Sequence, residues 1–591
     1  MTAHVRSGRS RLWRFLAVLA LIGLVAAACG DDDGGGDTGA TTTAGGDGSG
    51  EVTSTTAAPD AAEAQFGGSI TVGLEAETNS WLPGEGSFAS PGVNVARALY
   101  DGVAARGADG SVYPLVAESI VPNDDLTEWT VTLREGILFS DGTPLTAENQ
   151  KNNFDTYLVA EGANTAGPGV MGQVTELRVD EELTYTYVLA QGNAAFIDLL
   201  AGTSGWVFSY EACQAAGEDC GSRPVGVGPF QMDSWTRDDR LVMSRNPNYW
   251  RTDANGEQLP YLDDLVFRPI PDEDTRLASV RSGDIQVGQT LRQSLVRQAR
   301  TSAEAGELQT FEAIGNNGGG AIFNTLVPPV DDVRVRLGLA HAVNQEDLVD
   351  ILGGTGITPP QTQYFSPNSP WFSEAVEEAW PKYDPDTAAE LLQAYIDDPA
   401  RSDGKAPGSP IAVQFNCPPD PSLIELSQAY QAFWGQVGVE TTLVQIEQAP
   451  HIANAIGGPD SDPPFKGDYM INCWRMGADE DPYTTLSNAF GPVAAGPLNF
   501  TNYVSDTVTA NIEILRTSTD FDERYAAVEA IMLEFTEQVP NMWTGGTATA
   551  LYAQNNVRNL AGWTIPGDGE PILGSGVLNS EIYWAEVWLQ Q

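Results

Sequence analysis

Two hydrophobic periods divide this chain, and no single core satisfies both. Between residues 105 and 220 the period is two. Trp129, Val131 and Leu133 alternate with Thr130, Thr132 and Arg134, the pattern of a half-buried strand. Leu183, Tyr185, Tyr187 and Leu189 alternate with Thr184 and Thr186 in the same way. Between residues 320 and 540 helical stripes interleave with strands. Asp384-Pro385 predicts a helix start, with Asp as cap and Pro in the first turn, and Leu391, Leu392, Tyr395 and Ile396 mark its apolar face. Ser422–Val437 carries Leu426, Tyr430, Phe433, Trp434 and Val437 at helical spacing and stops at Gly438. The strand ETTLVQI follows at 440–446. A last stripe of Tyr525, Val528, Ile531, Met532 and Phe535 ends before Pro540. These aromatic stripes read as core. Alternating helix and strand over 320–540 predicts an α/β lobe, and the strand-rich 105–220 predicts a different lobe. At 591 residues the chain exceeds what one core can serve. Further strands are expected at 69–74 and 240–246, and a helix at 94–99.

Charge removes one class of function. Eighty acidic residues stand against 30 basic ones, a net charge of −50, a balance that speaks against nucleic-acid binding, which needs a basic face for phosphate contacts. An acidic exported surface or a salty habitat accounts for such a balance; capture of cationic ligands is the sharper alternative.

The first residues read as an address. Arg6, Arg9, Arg11 and Arg14 precede an apolar run from Phe15 to Ala28, too short to span a bilayer and suited to a secretory signal peptide over 1–28. Val25-Ala26-Ala27-Ala28-Cys29-Gly30 is similar to a bacterial lipobox, with Ala26 where Leu or Val usually stands. That resemblance implies a lipidated Cys29 and an extracytoplasmic, membrane-anchored protein. Residues 29–65 are Gly-, Thr-, Ala- and Asp-rich, with Val52 the one large apolar residue after Cys29, and read as a disordered tether spanning roughly 30–35 Å. The remaining cysteines, Cys213, Cys220, Cys417 and Cys473, are even in number, which in an exported chain suggests disulfides. Cys213 and Cys220 can close a small ring. Cys417 and Cys473 end strand-like runs and can lie on neighbouring strands. Spacing alone leaves connectivity open. Zinc is the weaker alternative, since neither His341 nor His451 stands beside a Cys pair.

Leu126–Asn149 combines a strand, an Asp141-Gly142 turn and a helix that Thr146 can cap. Its order resembles the hallmark segment of the family 5 solute-binding proteins of ABC importers, the group of oligopeptide- and dipeptide-binding lipoproteins. Other blocks resemble the same family in the same order. They are Pro114–Ser119, Val225–Phe230, Arg245–Trp250, Arg281–Ile285 with Gln286 in place of Asp, and Phe323-Asn324 followed by Pro328-Pro329 and Asp332–Arg336, with Asn344 in place of the usual Asp. Together they cover about 66–591.

The resemblance implies an α/β, periplasmic-binding-protein-like type II clamshell with an additional lobe and a discontinuous first domain. Domain I would comprise 66–104, 222–318 and 543–591, the accessory lobe 105–221, and domain III 319–542. The chain would cross between domains near 316–320 and 540–546. Ligand would bind in the cleft, and the lobes would close about the crossings. In peptide-binding relatives an aspartate of domain III pairs with the ligand's α-amino group, and the matching region here is Cys473–Pro482, one residue shorter than the pattern. Asp479 is the expected counterpart, with a loop cap as its alternative. Arg475 is suited to a ligand carboxylate, or to a structural ion pair. Trp474 and Trp81 are candidate cleft walls or core residues. Met476, Asn79 and Asn324 complete the candidate contacts.

Catalytic signals are poor. The sequence carries no His-Glu-x-x-His, Gly-x-Ser-x-Gly or phosphate loop, and GNNGGG at 315–320 reads as a flexible crossing. His341 falls in a predicted helix and His451 in an ill-defined segment. The expected protein is a receptor, not an enzyme, without cofactor and monomeric. It would deliver a peptide to ABC permease subunits. The alternatives are another small solute (oligosaccharide, opine-like compound or nickel chelate) or, from a different class, a secreted cell-surface hydrolase.

Overall fold

The computed structural model describes residues 64–86, 88, 90–159, 173–367, 369–457, 466–474, 481–492, 499–567, 571–575 and 581–591. The expected leader, Cys29 and the tether up to residue 63 lie outside the described residues.

A ten-stranded mixed sheet organises the molecule. Its order from one edge is Glu440–Gln445, Ala412–Cys417, Ile471–Trp474, Gln309–Phe323, Asn541–Ala553, Val287–Thr290, Ser69–Leu74, Asp264–Pro269, Arg240–Arg245 and Phe230–Thr236. The two middle strands, Gln309–Phe323 and Asn541–Ala553, are long and antiparallel, pairing from Gln309↔Ala553 to Ile322↔Asn541. One end of this ladder adjoins Val287–Thr290 and the other adjoins Ile471–Trp474. The register shifts twice, between Ile314 and Gly318 and between Gly318 and Gly320. Such irregularities bend a strand and increase its twist. Gly320 sits where a Cβ would lie 1.8 Å from the Met542 carbonyl oxygen, so the two backbones approach as closely as glycine allows. GNNGGG is therefore strand: partners more than 200 residues away supply the hydrogen bonds that its composition does not promise.

The helices follow their caps. Asp384 accepts from the backbone N–H groups of Asp386 and Thr387, opening Pro385–Ile396. Asp420 does the same for Pro421–Gln436, one residue before the expected start. These helices, with Val333–His341 and Phe521–Gln538, bury Leu339, Leu392, Tyr430, Trp434, Ile531 and Phe535 in one core against Phe323, Phe415 and Ile471 of the sheet. His341 closes its helix and its Nδ1 meets the Lys382 carbonyl at 2.7 Å. A second core gathers Ile70, Val72, Trp81, Leu99, Phe267, Trp584 and Val587.

A four-stranded antiparallel sheet, ordered Ala117–Pro122, Glu128–Leu133, Thr184–Leu189, Val174–Glu181, carries the third large core. Trp129, Val131 and Leu133 are buried as their spacing predicts. Gly142 turns at φ 86°, and the Thr146 hydroxyl accepts from Asn149 N to cap Ala147–Asn153. Thr186 departs from the pattern. It is buried although its position in the alternation predicts solvent, because its hydroxyl donates to Asp180 Oδ2 at 2.7 Å and accepts from Thr130 Oγ1 at 2.9 Å. A satisfied hydroxyl is readily buried.

Both cysteine pairs form disulfides, Cys213–Cys220 and Cys417–Cys473. The second follows from register: parallel pairing of Phe415 with Ile471 and Asn416 with Asn472 brings the next residue on each strand within reach.

Candidate functional site

The Ile471–Trp474 strand ends against the ladder, with Trp474 opposite Gly320. Trp474 is half-buried. Its ring stacks on His451 at 6.1 Å between centroids and lies 4.4 Å from Phe500. The helix Gln448–Ile456, which sequence reasoning left undefined, places His451 there. The Cys473 carbonyl can only accept, so His451 Nε2 donates to it across 3.0 Å, and Nδ1 is a buried acceptor without a partner. Burial holds the imidazole below its usual range against the opposing pull of that carbonyl. The Cys417–Cys473 bond fastens this strand end to its neighbour one residue before Trp474.

Asp481 heads the next helix, Pro482–Phe490. Its carboxylate accepts from Tyr483 N at 2.8 Å, capping Pro482–Phe490, and takes Arg524 Nη2 on both oxygens at 2.5 Å. Burial pushes the Asp481 carboxyl up, the Asp198 charge adds to this, and Arg524 opposes both; the net direction is upward. Asp198 belongs to the four-stranded-sheet region and is itself paired with Arg106 at 2.6 Å. Three further contacts join these regions. Ala194 N donates to Arg516 O at 2.8 Å, Gln173 Nε2 donates to Tyr483 Oη at 3.3 Å, and the Arg516 guanidinium donates to the Gly192 carbonyl.

Arg475, Met476 and Asp479 lie outside the described residues. The remaining candidates are not brought together. Trp81 is fully buried, 5.4 Å edge-to-face from Trp235, with its carbonyl accepting from Tyr100 Oη. Its ring is core, not an open wall. Asn324 is also fully buried. Its Nδ2 donates to the Lys466 and Tyr469 carbonyls and its Oδ1 accepts from Asn502 Nδ2 and Leu326 N. It ties three loops together and has no polar atom left for a solute. Asn79 is exposed, donates to the Glu85 carbonyl at 3.3 Å and receives Arg237 on its own carbonyl at 2.5 Å.

Sequence reasoning did not foresee the Asp481–Arg524 pair or the stacking of His451 on Trp474. The signal for Asp481 was present: Asp481-Pro482 repeats the Asp-Pro start already recognised at 384–385. A separate cavity of about 440 Å³, lined by Trp250, Arg251, Tyr261, Thr564 and Glu586 among others, shares no residue with the Trp474 cluster, and its Arg251 and Glu586 neutralise one another at 2.5 Å. Among the described residues no group of three His, Cys, Asp or Glu side chains is arranged to hold a metal ion, and no helix is long and apolar enough to cross a membrane.

The glutathione-binding protein GsiB of Salmonella paratyphi A is 28% identical over 305 residues, which are 51% of this chain and 56% of that protein. The chain thus matches little more than half the length of this curated relative. Two solved structures share the fold: DppA of Helicobacter pylori in complex with the peptide STSA (TM-score 0.71, 17% identity, 89% of this chain and 99% of that one) and NikA of Brucella suis in complex with Fe(III)-EDTA (TM-score 0.71, 19% identity, 88% and 100%). The expected type II periplasmic-binding-protein fold is the one present. Residues 111–497, more than half of the chain, match the family described as bacterial extracellular solute-binding proteins, family 5 Middle, and the protein belongs to that family.

Proposed function

We propose that this protein captures a peptide in a cleft between its lobes and passes it to the permease of an ABC importer. The observation that carries this reading is the family match over 111–497, which contains the whole Cys473–Pro482 segment. Support for a peptide comes from two relatives, one named as glutathione-binding, glutathione being a tripeptide, and one seen with STSA. In this reading the lobes are 66–104 with 222–318 and 543–591, then 105–221, then 319–542. They close by a hinge motion about the long ladder. Asp479 receives the solute's α-amine and Arg475 its carboxylate, with Trp474 and Met476 as walls and Asn79 approaching from the facing lobe. Capture needs no bond-making chemistry, in keeping with the poor catalytic signals.

A thermal-shift screen of the purified full chain tests the solute class. A binding peptide at 100 times its Kd should stabilise the protein by about 2.7 kcal/mol without being consumed. Stabilisation by Fe(III)-EDTA, an opine or an oligosaccharide with none by peptides overturns the peptide reading. Product released from a stabilising compound overturns receptor function in favour of hydrolysis.

Lipid attachment at Cys29 completes the proposal, holding the receptor at the outer face of the cell membrane as a monomer on a slack tether. One acyl chain alone gives only reversible membrane binding, so at least two chains are expected at this terminus. A palmitate analogue fed to cells should label the wild-type protein; a Cys29→Ala variant that labels equally removes the anchor.

A further inference from the structure

Two buried glutamines two residues apart are treated differently by the fold. Gln363 is 1% exposed and fully engaged: its Nε2 donates to the Ser373 carbonyl at 2.8 Å and its Oε1 accepts from Ser373 N at 3.1 Å. Gln361 is 2% exposed, and neither its Nε2 nor its Oε1 has a hydrogen-bond partner. Ser366 Oγ, fully buried, is also unpartnered. Buried polar side chains nearly always find partners, and each exception calls for an explanation.

Position supplies one. Ile357 packs with Ala548 and Ala550, and the Tyr364 ring lies 5.8 Å from Trp543. Trp543 and Ala548 are five residues apart on one strand, about 17 Å. The 357–364 stretch between these anchors therefore runs beside the middle of the ladder, where the strand passes from one half of the sheet to the other. Gln345 reaches the same place. Its Nε2 donates to the Trp543 carbonyl at 3.2 Å, while its buried Oε1 is unpartnered. The unsatisfied groups of these segments are two amides and a hydroxyl, all uncharged, and the Tyr364 ring, between Gln361 and Ser366 in sequence, contacts Phe365 and Trp543.

We propose that Gln361, supported by Ser366 and Gln345, forms a solute subsite at the floor of the cleft that takes an internal peptide unit. A glutamine amide offers one donor edge and one acceptor edge, the complement of a peptide C=O and N–H. The subsite is neutral and suits the middle of a peptide, leaving charged ends to other groups. This rests on the peptide reading above and assigns Gln361 a specificity role within it. The solute reaches the subsite when the lobes part.

The test uses the full chain with a mixed tripeptide library, bound peptides being quantified by native mass spectrometry and peptide-free melting recorded alongside. Gln361→Met keeps the length and removes both hydrogen-bonding edges. It should bind the library at least tenfold more weakly while melting, without peptide, no lower than wild type, because a costly buried amide has gone. Ser366→Ala is the second variant, expected to weaken binding more than threefold, and it decides the matter if Gln361→Met does not fold. Wild-type binding with variant binding retained within threefold overturns the subsite and leaves the peptide reading standing. No tripeptide bound by wild type overturns both.

Discussion

Replacing Arg524 by Met should lower the stability of the proposed 319–542 lobe by about 3–5 kcal/mol, the usual result of removing one partner from a buried ion pair. At roughly 2–4 °C per kcal/mol for a domain of this size, the corresponding melting transition falls by about 10 °C. Asp481 and Arg524 are 6% and 12% exposed, and both carboxylate oxygens accept from the same guanidinium nitrogen. Removing the cation leaves a buried carboxylate facing the charge of Asp198 as well. The Arg524 guanidinium also lies 5.4 Å from the Trp371 ring, and methionine forfeits that cation–π attraction. The double variant Asp481→Asn, Arg524→Met should regain more than half of the loss, since the penalty lies in the uncompensated charge. Calorimetry of the two variants checks this. Equal losses in single and double variants would show that the uncompensated charge is not the source of the loss.

Removing the Cys417–Cys473 bond by Cys417→Ser, Cys473→Ser should cost about 4 kcal/mol in the chain-entropy description, because it releases a loop of 56 residues. The Cys213–Cys220 bond closes a loop of only seven, so its removal should cost about 2 kcal/mol. The expected ranking is therefore firm even where the absolute losses are smaller. The longer bridge also holds the strand end from which Trp474 projects and to whose carbonyl His451 donates. Its loss should weaken solute binding as well as stability, whereas loss of the shorter bridge should leave binding unchanged. Melting and titration of the two double-serine variants separate the contributions.

Much of this architecture is written in local signals. The Glu128–Leu133 strand follows from alternation, the Ala147–Asn153 helix from Thr146, and the Pro385–Ile396 helix from Asp384-Pro385. These rest on interactions within a few residues, which a sequence displays directly. What escaped reading depends on partners distant in sequence. GNNGGG is strand because Asn541–Ala553 pairs with it. Asn324 is a tie between loops because Lys466, Tyr469 and Asn502 converge on it. Thr186 is buried because Asp180 and Thr130 satisfy its hydroxyl. Gln361 and Gln363 differ in nothing that flanking residues reveal; only Ser373, ten residues on from Gln363, distinguishes them. Site chemistry is thus less legible than fold, since a side chain's role depends on which of its polar atoms the rest of the chain leaves unused.

The ladder has a consequence for biosynthesis. Asn541–Ala553 lies between Gln309–Phe323 and Val287–Thr290, and it is the strand that joins the two halves of the sheet. A ribosome delivers it last among the ten. Until then the nascent protein holds two incomplete sheets, each with an unpaired margin facing the gap, and open margins of this kind template aggregation. The final fifty or so residues therefore act as a keystone, and the more than two hundred residues between Phe323 and Asn541 must be emitted while the opening waits. Any premature stop beyond Phe323 but before Asn541 leaves both margins bare.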